Sequence, residues 1–169
     1  MELGDICKYV KDRVSTDALN QDTYVSTENM LPDRGGIVTA SSVPQDGTAV
    51  SFTKGDVLLS NIRPYFKKVW RAAYDGGCSA DVLCFRANKD VNPKYLYYLL
   101  SQQCFIDYVM AGTKGCKMPR GDKQQIMQWP IILPSPDVQE QIASVLSSLD
   151  SKIELNRRIN DNFVLTYAA

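Results

Sequence analysis

Beyond Pro136 the chain runs to its end without another Pro or Gly, and its apolar side chains there fall in a fixed rhythm. Ile142, Leu146, Leu149 and Ile153 are followed by Asn156, Asn160 and Phe163, in steps of four and three residues. Such steps average about 3.5 residues, the seam of a coiled coil rather than the broader stripe of a helix lying on a core. Val145 and Ile159 lie one row aside and widen the seam. At ~1.5 Å per residue, a helix of this length outreaches a domain of this size, so at least one end is expected to project. Apolar surface left in water costs about 25 cal/mol per Å², so the seam calls for another helix. The run near residues 94–111 is shorter and its apolar stripe is needed by the core. The expected partner is therefore another chain, or a second copy of this helix in a longer polypeptide. Asn156 and Asn160 on the seam would set register or orientation. The alternative is a helix folded back across its own domain.

Upstream, the periodicity is that of a small α+β domain. Leu3, Ile6, Cys7 and Val10 are spaced as a short amphipathic helix. The runs TYVST, GIVTASSV, TAVSFT and GDVLLSNI are short, β-branched or apolar, and bounded by turn residues. KKVWRAAY and DVLCFRAN read as two more strands joined by a turn at Gly76-Gly77. A mostly antiparallel β-containing body is expected. A helical stripe then runs through Tyr95, Leu96, Leu99, Leu100, Phe105, Ile106 and Val109, with Pro93 in its first turn and Gly112 past its end. GTKGCKMPRGDK is a basic, Gly-rich loop, GDKQQIMQ one or two helical turns, and WPIILP a short extended element. The division expected is residues 1–135 as a globular domain and 136–169 as a long helix.

Composition narrows the chemistry. The chain has no histidine, which removes His-based nucleophilic sites and most zinc sites. No GxxxxGK[ST] or GxGxxG phosphate loop occurs. No Asp/Glu/Lys constellation suggests a nuclease, so no catalytic residue, metal or cofactor is expected. Cys7, Cys78, Cys84, Cys104 and Cys116 are odd in number and form no CxxC pair, which predicts reduced thiols. No apolar run is long enough for a membrane span, and the charged N-terminus lacks a signal-peptide core, so a cytoplasmic protein is expected.

Net charge is zero, yet its distribution is uneven. Residues 1–62 hold nine acids and five bases, residues 63–123 eleven bases and five acids, and the remainder three bases and five acids. A polyanion responds to the local field within roughly 8–10 Å. Two basic segments stand out as candidate DNA contacts. NIRPYFKKVWR supplies Arg63, Lys67, Lys68 and Arg71, with Tyr65 and Trp70 between them. GTKGCKMPRGDK supplies Lys114, Lys117, Arg120 and Lys123. Arg63 is the candidate base reader, since a guanidinium can bond guanine O6 and N7 together. The Gly-rich loop suits phosphate contact. Ordinary solvated surface charge is the competing reading for both. NIRPYF superficially resembles the Asn-Pro-Pro-Tyr motif of amino-methyltransferases, but Ile62-Arg63 replaces the first Pro and no cofactor loop precedes it. Tyr95, Tyr97 and Tyr98 read as core and helix surface rather than a base-stacking platform, and Leu155 lies off the seam.

PSPDVQEQIASVLSSLDSKIELNRRIND resembles the conserved region of the specificity subunits of type I restriction–modification systems. The resemblance rests on IILPSP, Glu140-Gln141, Leu149-Asp150 and Ile153. GDVLLSNIRPYF, YLYYLLSQ, the Gly-rich loop from Gly112 and the opening LGDI fall in matching order. It is specific in the last forty residues or so and diffuse in the first fifty or so. It implies a target-recognition domain followed by a conserved dimerisation and spacer helix, comprising Ile142, Leu146, Leu149, Ile153, Asn156, Asn160 and Phe163 at the interface. It further implies double-stranded DNA and methyltransferase subunits as partners, with restriction subunits able to join, and methyl transfer carried out by the partner. This chain departs from the full pattern in holding one recognition domain and one helix, so it resembles a half-subunit, native or cut from a longer chain. A homodimer through the helix would restore two domains reading a split site. The competing reading is a structural protein that oligomerises through its helix and has no DNA role.

Overall fold

A computed structural model describes residues 1–113 and 117–167, with side chains through residue 160. Its centre is a four-stranded antiparallel sheet of β1 (Cys7–Tyr9), β8 (Val82–Ala87), β5 (Val57–Ser60) and β6 (Val69–Arg71), in that spatial order. A second sheet stacks on it, ordered β2 (Arg13–Ser15), β4 (Thr48–Phe52), β7 (Gly76–Cys78) and β3 (Tyr24–Val25). Only its β3–β7 pair is parallel.

The central sheet is buried on both faces, and this is why its strands read as unbroken apolar runs. Val57, Leu59, Leu83, Phe85 and Val69 point into a core shared with helices. Leu58, Val82 and Cys84 alternate with them and pack toward the second sheet, against Phe52, Val25 and Met30. The helical layer comprises α1 (Leu3–Ile6), α2 (Pro93–Leu100), α3 (Gln103–Ala111), α4 (Lys123–Met127) and the start of α5 (Pro136–Tyr167).

Several elements differ from the sequence expectation. The N-terminal helix ends at Ile6, and Cys7, at φ −149° and ψ 169°, opens β1 instead. Cys7 and Val10 are buried as expected, but from extended backbone and the turn beyond it. GIVTASSV forms no ladder apart from a single bridge between Ile37 and Met30. Asn29 takes over the pairing there: its Nδ2 donates to the carbonyls of Tyr24 and Val38, each at 2.9 Å. Gly76-Gly77 is a strand rather than a turn, and β6 and β8 are not neighbours, because β5 lies between them. A Cβ on Gly77 would lie 2.4 Å from Leu19 Cδ1 and 3.1 Å from Ala49 Cβ, so the glycine lets the second sheet close.

The stripe over 95–109 is two helices, broken at Gln102, whose φ of −71° and ψ of 147° are extended. A continuous helix would carry the face of Leu96, Leu99 and Leu100 on to Gln103 and Asp107. The break re-phases the chain so that Phe105, Ile106 and Val109 are buried instead. Asn92 starts α2 as an N-cap, its side chain accepting from the backbone N–H of Lys94 and Tyr95 at 2.8 and 3.2 Å. Three cysteines, Cys7, Cys78 and Cys84, are buried free thiols, and Cys104 is an exposed one; Cys116 lies outside the described residues.

α5 spans 32 residues, about 48 Å. Only its beginning packs on the body. Ala143 is fully buried, Ile142 partly so, and Gln139 is 1% exposed. Gln139 bonds both ways: its Nε2 donates to the Pro134 carbonyl at 2.9 Å, and its Oε1 accepts from the Asn92 N–H at 3.0 Å. The side-chain Nδ2 of Asn92 donates to Glu140 Oε2. The last tether is Tyr98, whose hydroxyl donates to Asp150 Oδ2 at 2.8 Å. From Ser151 to Asn160 every residue is exposed.

Candidate nucleic-acid interface

The two basic segments singled out in the sequence meet in space. Ile62 and Arg120 form an antiparallel bridge, the Arg63 N–H donates to the Pro119 carbonyl at 2.9 Å, and that of Gly121 donates to the Asn61 carbonyl at 3.4 Å. A third loop joins them: the N–H groups of Asp33 and Arg34 donate to the carbonyls of Phe66 and Lys67 at 2.9 and 3.0 Å. Among the described residues, the non-glycine positions with positive φ are Asp33, Arg34, Arg63 and Lys67, all within these loops. Left-handed backbone at such residues costs about 1–2 kcal/mol apiece and persists where surroundings over-determine it. The cross-loop bonds supply that determination.

The platform is exposed and charged. Arg63 stands at its centre, leading into a 3₁₀ turn of Pro64–Phe66. Pro64 is buried, which anchors the turn, while Tyr65 and Phe66 stay in solvent with their rings 4.7 Å apart. Lys117 is exposed beside it, and Arg120 is half-exposed, with Nη2 3.2 Å from Asp81 Oδ1. Gly121 allows this loop to sit directly on the body, since a Cβ there would lie 2.9 Å from both Asn61 Oδ1 and Val109 Cγ1. Asn61 is itself 7% exposed, and its Oδ1 has no hydrogen-bond partner among the described residues.

The remaining predicted bases are placed differently. Lys68 is half-buried and donates to the Thr27 carbonyl at 2.6 Å, so its charge serves the loop beneath. Arg71 shares the face of Val69 on β6, opposite to Trp70, and lies toward Tyr97 and Tyr98 of α2 rather than with Arg63. Burial pushes the Tyr97 hydroxyl up, as does Asp150, while Arg34 and Arg71 oppose the shift. Tyr98 is raised by burial and by its bond to Asp150. Lys123 opens α4, where Asp122 caps the backbone N–H groups of Gln124 and Gln125 at 2.9 and 3.2 Å. Lys114 lies outside the described residues.

Along α5, Ile142 and Leu146 are partly covered by α2, whereas Leu149 and Ile153 are 50% and 49% exposed. Together they form one wall of a groove whose other wall includes Tyr95, Tyr98 and Leu99. Asn156, Ile159 and Asn160 lie on the bare stretch, and the Phe163 side chain is outside the described residues. Leu155, off the seam, is also exposed. Sequence reasoning did not single out Arg34 or Gln139, nor the bond of Tyr98 to Asp150 or the capping role of Asn92, for which the Asn-Pro pair before an apolar stripe was the available signal. Among the described residues no cluster of His, Cys, Asp and Glu could hold a metal, and no helix is long and apolar enough to cross a membrane.

Known proteins resemble this chain in sequence and in fold. The family model described as type I restriction modification DNA specificity domain matches residues 1–162. The type I restriction enzyme EcoDI specificity subunit of Escherichia coli is 29% identical over 126 residues, covering 70% of this chain and 28% of that protein. The HindI specificity subunit of Haemophilus influenzae is 26% identical over 166 residues, covering 94% of this chain and 36% of its own length. This chain thus spans about a third of the curated relatives it matches. Among solved structures, the HsdS subunit from Thermoanaerobacter tengcongensis superposes with a TM-score of 0.67 at 20% identity, over 94% of this chain and 43% of that one. The type I restriction–modification S subunit from M. genitalium gives 0.62 at 15% identity, over 91% of this chain and 39% of that one. Those two likenesses concern the fold.

Proposed function

Because this chain belongs to the type I restriction modification DNA specificity domain family, we propose that it reads one half of a split DNA target and performs no catalysis itself. Residues 1–135 are the recognition domain, and residues 136–169 the helix that spaces and pairs two such domains. Methyltransferase subunits, and restriction subunits where present, dock on the paired assembly and supply the chemistry.

One observation carries the DNA reading: backbone hydrogen bonds join three loops into a single platform bearing Arg63, Lys117 and Arg120, with Arg34 and Lys67 on its edge toward the groove beside α5. Rigid loops on a sheet scaffold can hold a guanidinium at a base edge, while the lysines meet phosphates without regard to sequence. Arg63 is the proposed base reader and Lys117 a phosphate contact. Pairing through Leu149 and Ile153 follows from their exposure, because an apolar seam in water is stabilised by burial. A two-fold pair would be isologous and would set two recognition domains at a fixed separation.

The test is selection of duplexes from a randomised pool with the full chain at low salt. The reading predicts a site of two separated half-sites. It further predicts that Arg63→Ala relaxes preference at one or two positions, costing about 1–3 kcal/mol of discrimination. A chain that retains no duplex at any salt concentration contradicts it.

A further inference from the structure

The segment KYVKDR, residues 8–13, is submerged in the acidic balance of the first 62 residues, yet it carries Lys8, Lys11 and Arg13 against one acid. That acid, Asp12, is paired loosely at the surface, 3.5 Å from Arg86 Nη1, which leaves three bases against one acid in the segment. Beside this turn, a groove of about 430 Å³ is lined by Tyr9, Lys11, Arg13, Ala80, Leu83 and Lys123. On its other flank a groove of about 450 Å³ adds Lys8 together with the Asp12–Arg86 pair. Lys8, Lys11, Arg13 and Lys123 are all exposed.

The first groove begins where the platform ends. Ala80 on its wall precedes Asp81, whose carboxylate is held by Arg120 and whose carbonyl accepts from the Asn61 N–H at 2.8 Å. Lys123 follows Gly121 by two residues, and its carbonyl accepts from the Tyr9 hydroxyl at 3.0 Å. Arg13 sits on β2, fixed in register opposite Val50. The basic strip therefore continues from Arg63 through Arg120 and Lys123 to Lys11 and Arg13. The carboxylates along it are each engaged: Asp81 with Arg120, Asp12 with Arg86, and Asp122 with the first N–H groups of α4. A concave wall lined by one sign of charge concentrates its field at the mouth.

We infer that this groove is a second phosphate track, in which Lys11, Arg13 and Lys123 hold the sugar–phosphate backbone of the duplex whose bases face the Arg63 platform. The inference rests on the DNA reading above and extends its footprint to the opposite side of Asp81. Such contacts fix position and carry no sequence information, so their loss weakens every duplex alike.

The experiment is fluorescence anisotropy of a labelled mixed-sequence duplex with the full chain, over a series of salt concentrations. The variants are Lys11→Gln/Arg13→Gln and the harsher Lys11→Glu/Arg13→Glu, each checked by thermal melting, with Lys117→Glu as the marker for the platform. Two lost phosphate contacts lower the slope of log K against log salt by about 2 and weaken binding by roughly 60-fold near 0.1 M salt. Should the folded Gln variant keep the wild-type slope and affinity while Lys117→Glu loses both, the track is refuted and the platform stands. A wild-type chain without salt-dependent duplex binding overturns the track and the DNA reading together.

Discussion

The last helix has two halves with the same periodicity and opposite surroundings. The first, to Asp150, is fastened to α2 by Gln139, Glu140, Ala143 and the Tyr98–Asp150 bond. The second, from Ser151 to Asn160, is exposed at every residue, and Ile153, Glu154 and Arg157 face the Asp33–Gly36 loop only across an open groove. An isolated helix of that length is marginal in water, because most helical stability comes from packing an apolar face. The lesson is that periodicity alone does not say who covers a seam. The fastened half shows that this molecule can cover its own helix where it has a neighbour to do so. The other half faces the body only across an open groove shared with the Asp33–Gly36 loop, which leaves Ile153 and Ile159 49% and 41% exposed.

The comparison is broken most severely at the boundary between the halves. Leu149→Asp with Ile153→Asp is expected to weaken self-association by at least a hundredfold, read by sedimentation, while the melting temperature of the body moves little. Next in size is an alkaline effect confined to the body. Burial pushes the thiols of Cys7 and Cys78 up to about 12 from an ordinary value of 9.0. The folded state therefore holds protons that the unfolded chain releases, so their contribution is whole below pH 9 and is lost as pH rises toward 12. Denaturant titrations should show stability falling by up to about 1.4 kcal/mol per pH unit for each thiol across that window. Ala143→Leu tests the fastened half: overpacking a fully buried site against α2 should cost about 1–3 kcal/mol, visible in thermal melts. The smallest effect is Tyr98→Phe. It removes one half-buried hydrogen bond at the junction, so about 0.5–1.5 kcal/mol should be lost, with the sedimenting mass unchanged.

Much of this architecture was legible in the residues. VLLS and VLCF are apolar at every position but the last serine, and the structure buries them on both faces. The long helix was legible from its period and from Pro136. The α2–α3 break was written in the phase, since Gln103 and Asp107 fall where leucines should continue, but an apolar count alone passes over it. Gly76-Gly77 could not be read as a strand, because glycine signals a turn locally and its value here lies in distant neighbours, Leu19 and Ala49. The bases of the platform were visible as charge runs. Their meeting through Ile62 and Arg120 was not, being a contact across nearly sixty residues. Which way Arg71 faces depended on its register opposite Val57, and Lys11 and Arg13 were hidden by averaging charge over too long a window.

The seam's need for a second helix is tested most directly by the mass of the full chain in solution. Sedimentation equilibrium at tens of micromolar should report twice 18.9 kDa, falling to a single chain's mass for the Leu149→Asp/Ile153→Asp pair. A wild-type chain that stays at 18.9 kDa throughout that range would contradict the account.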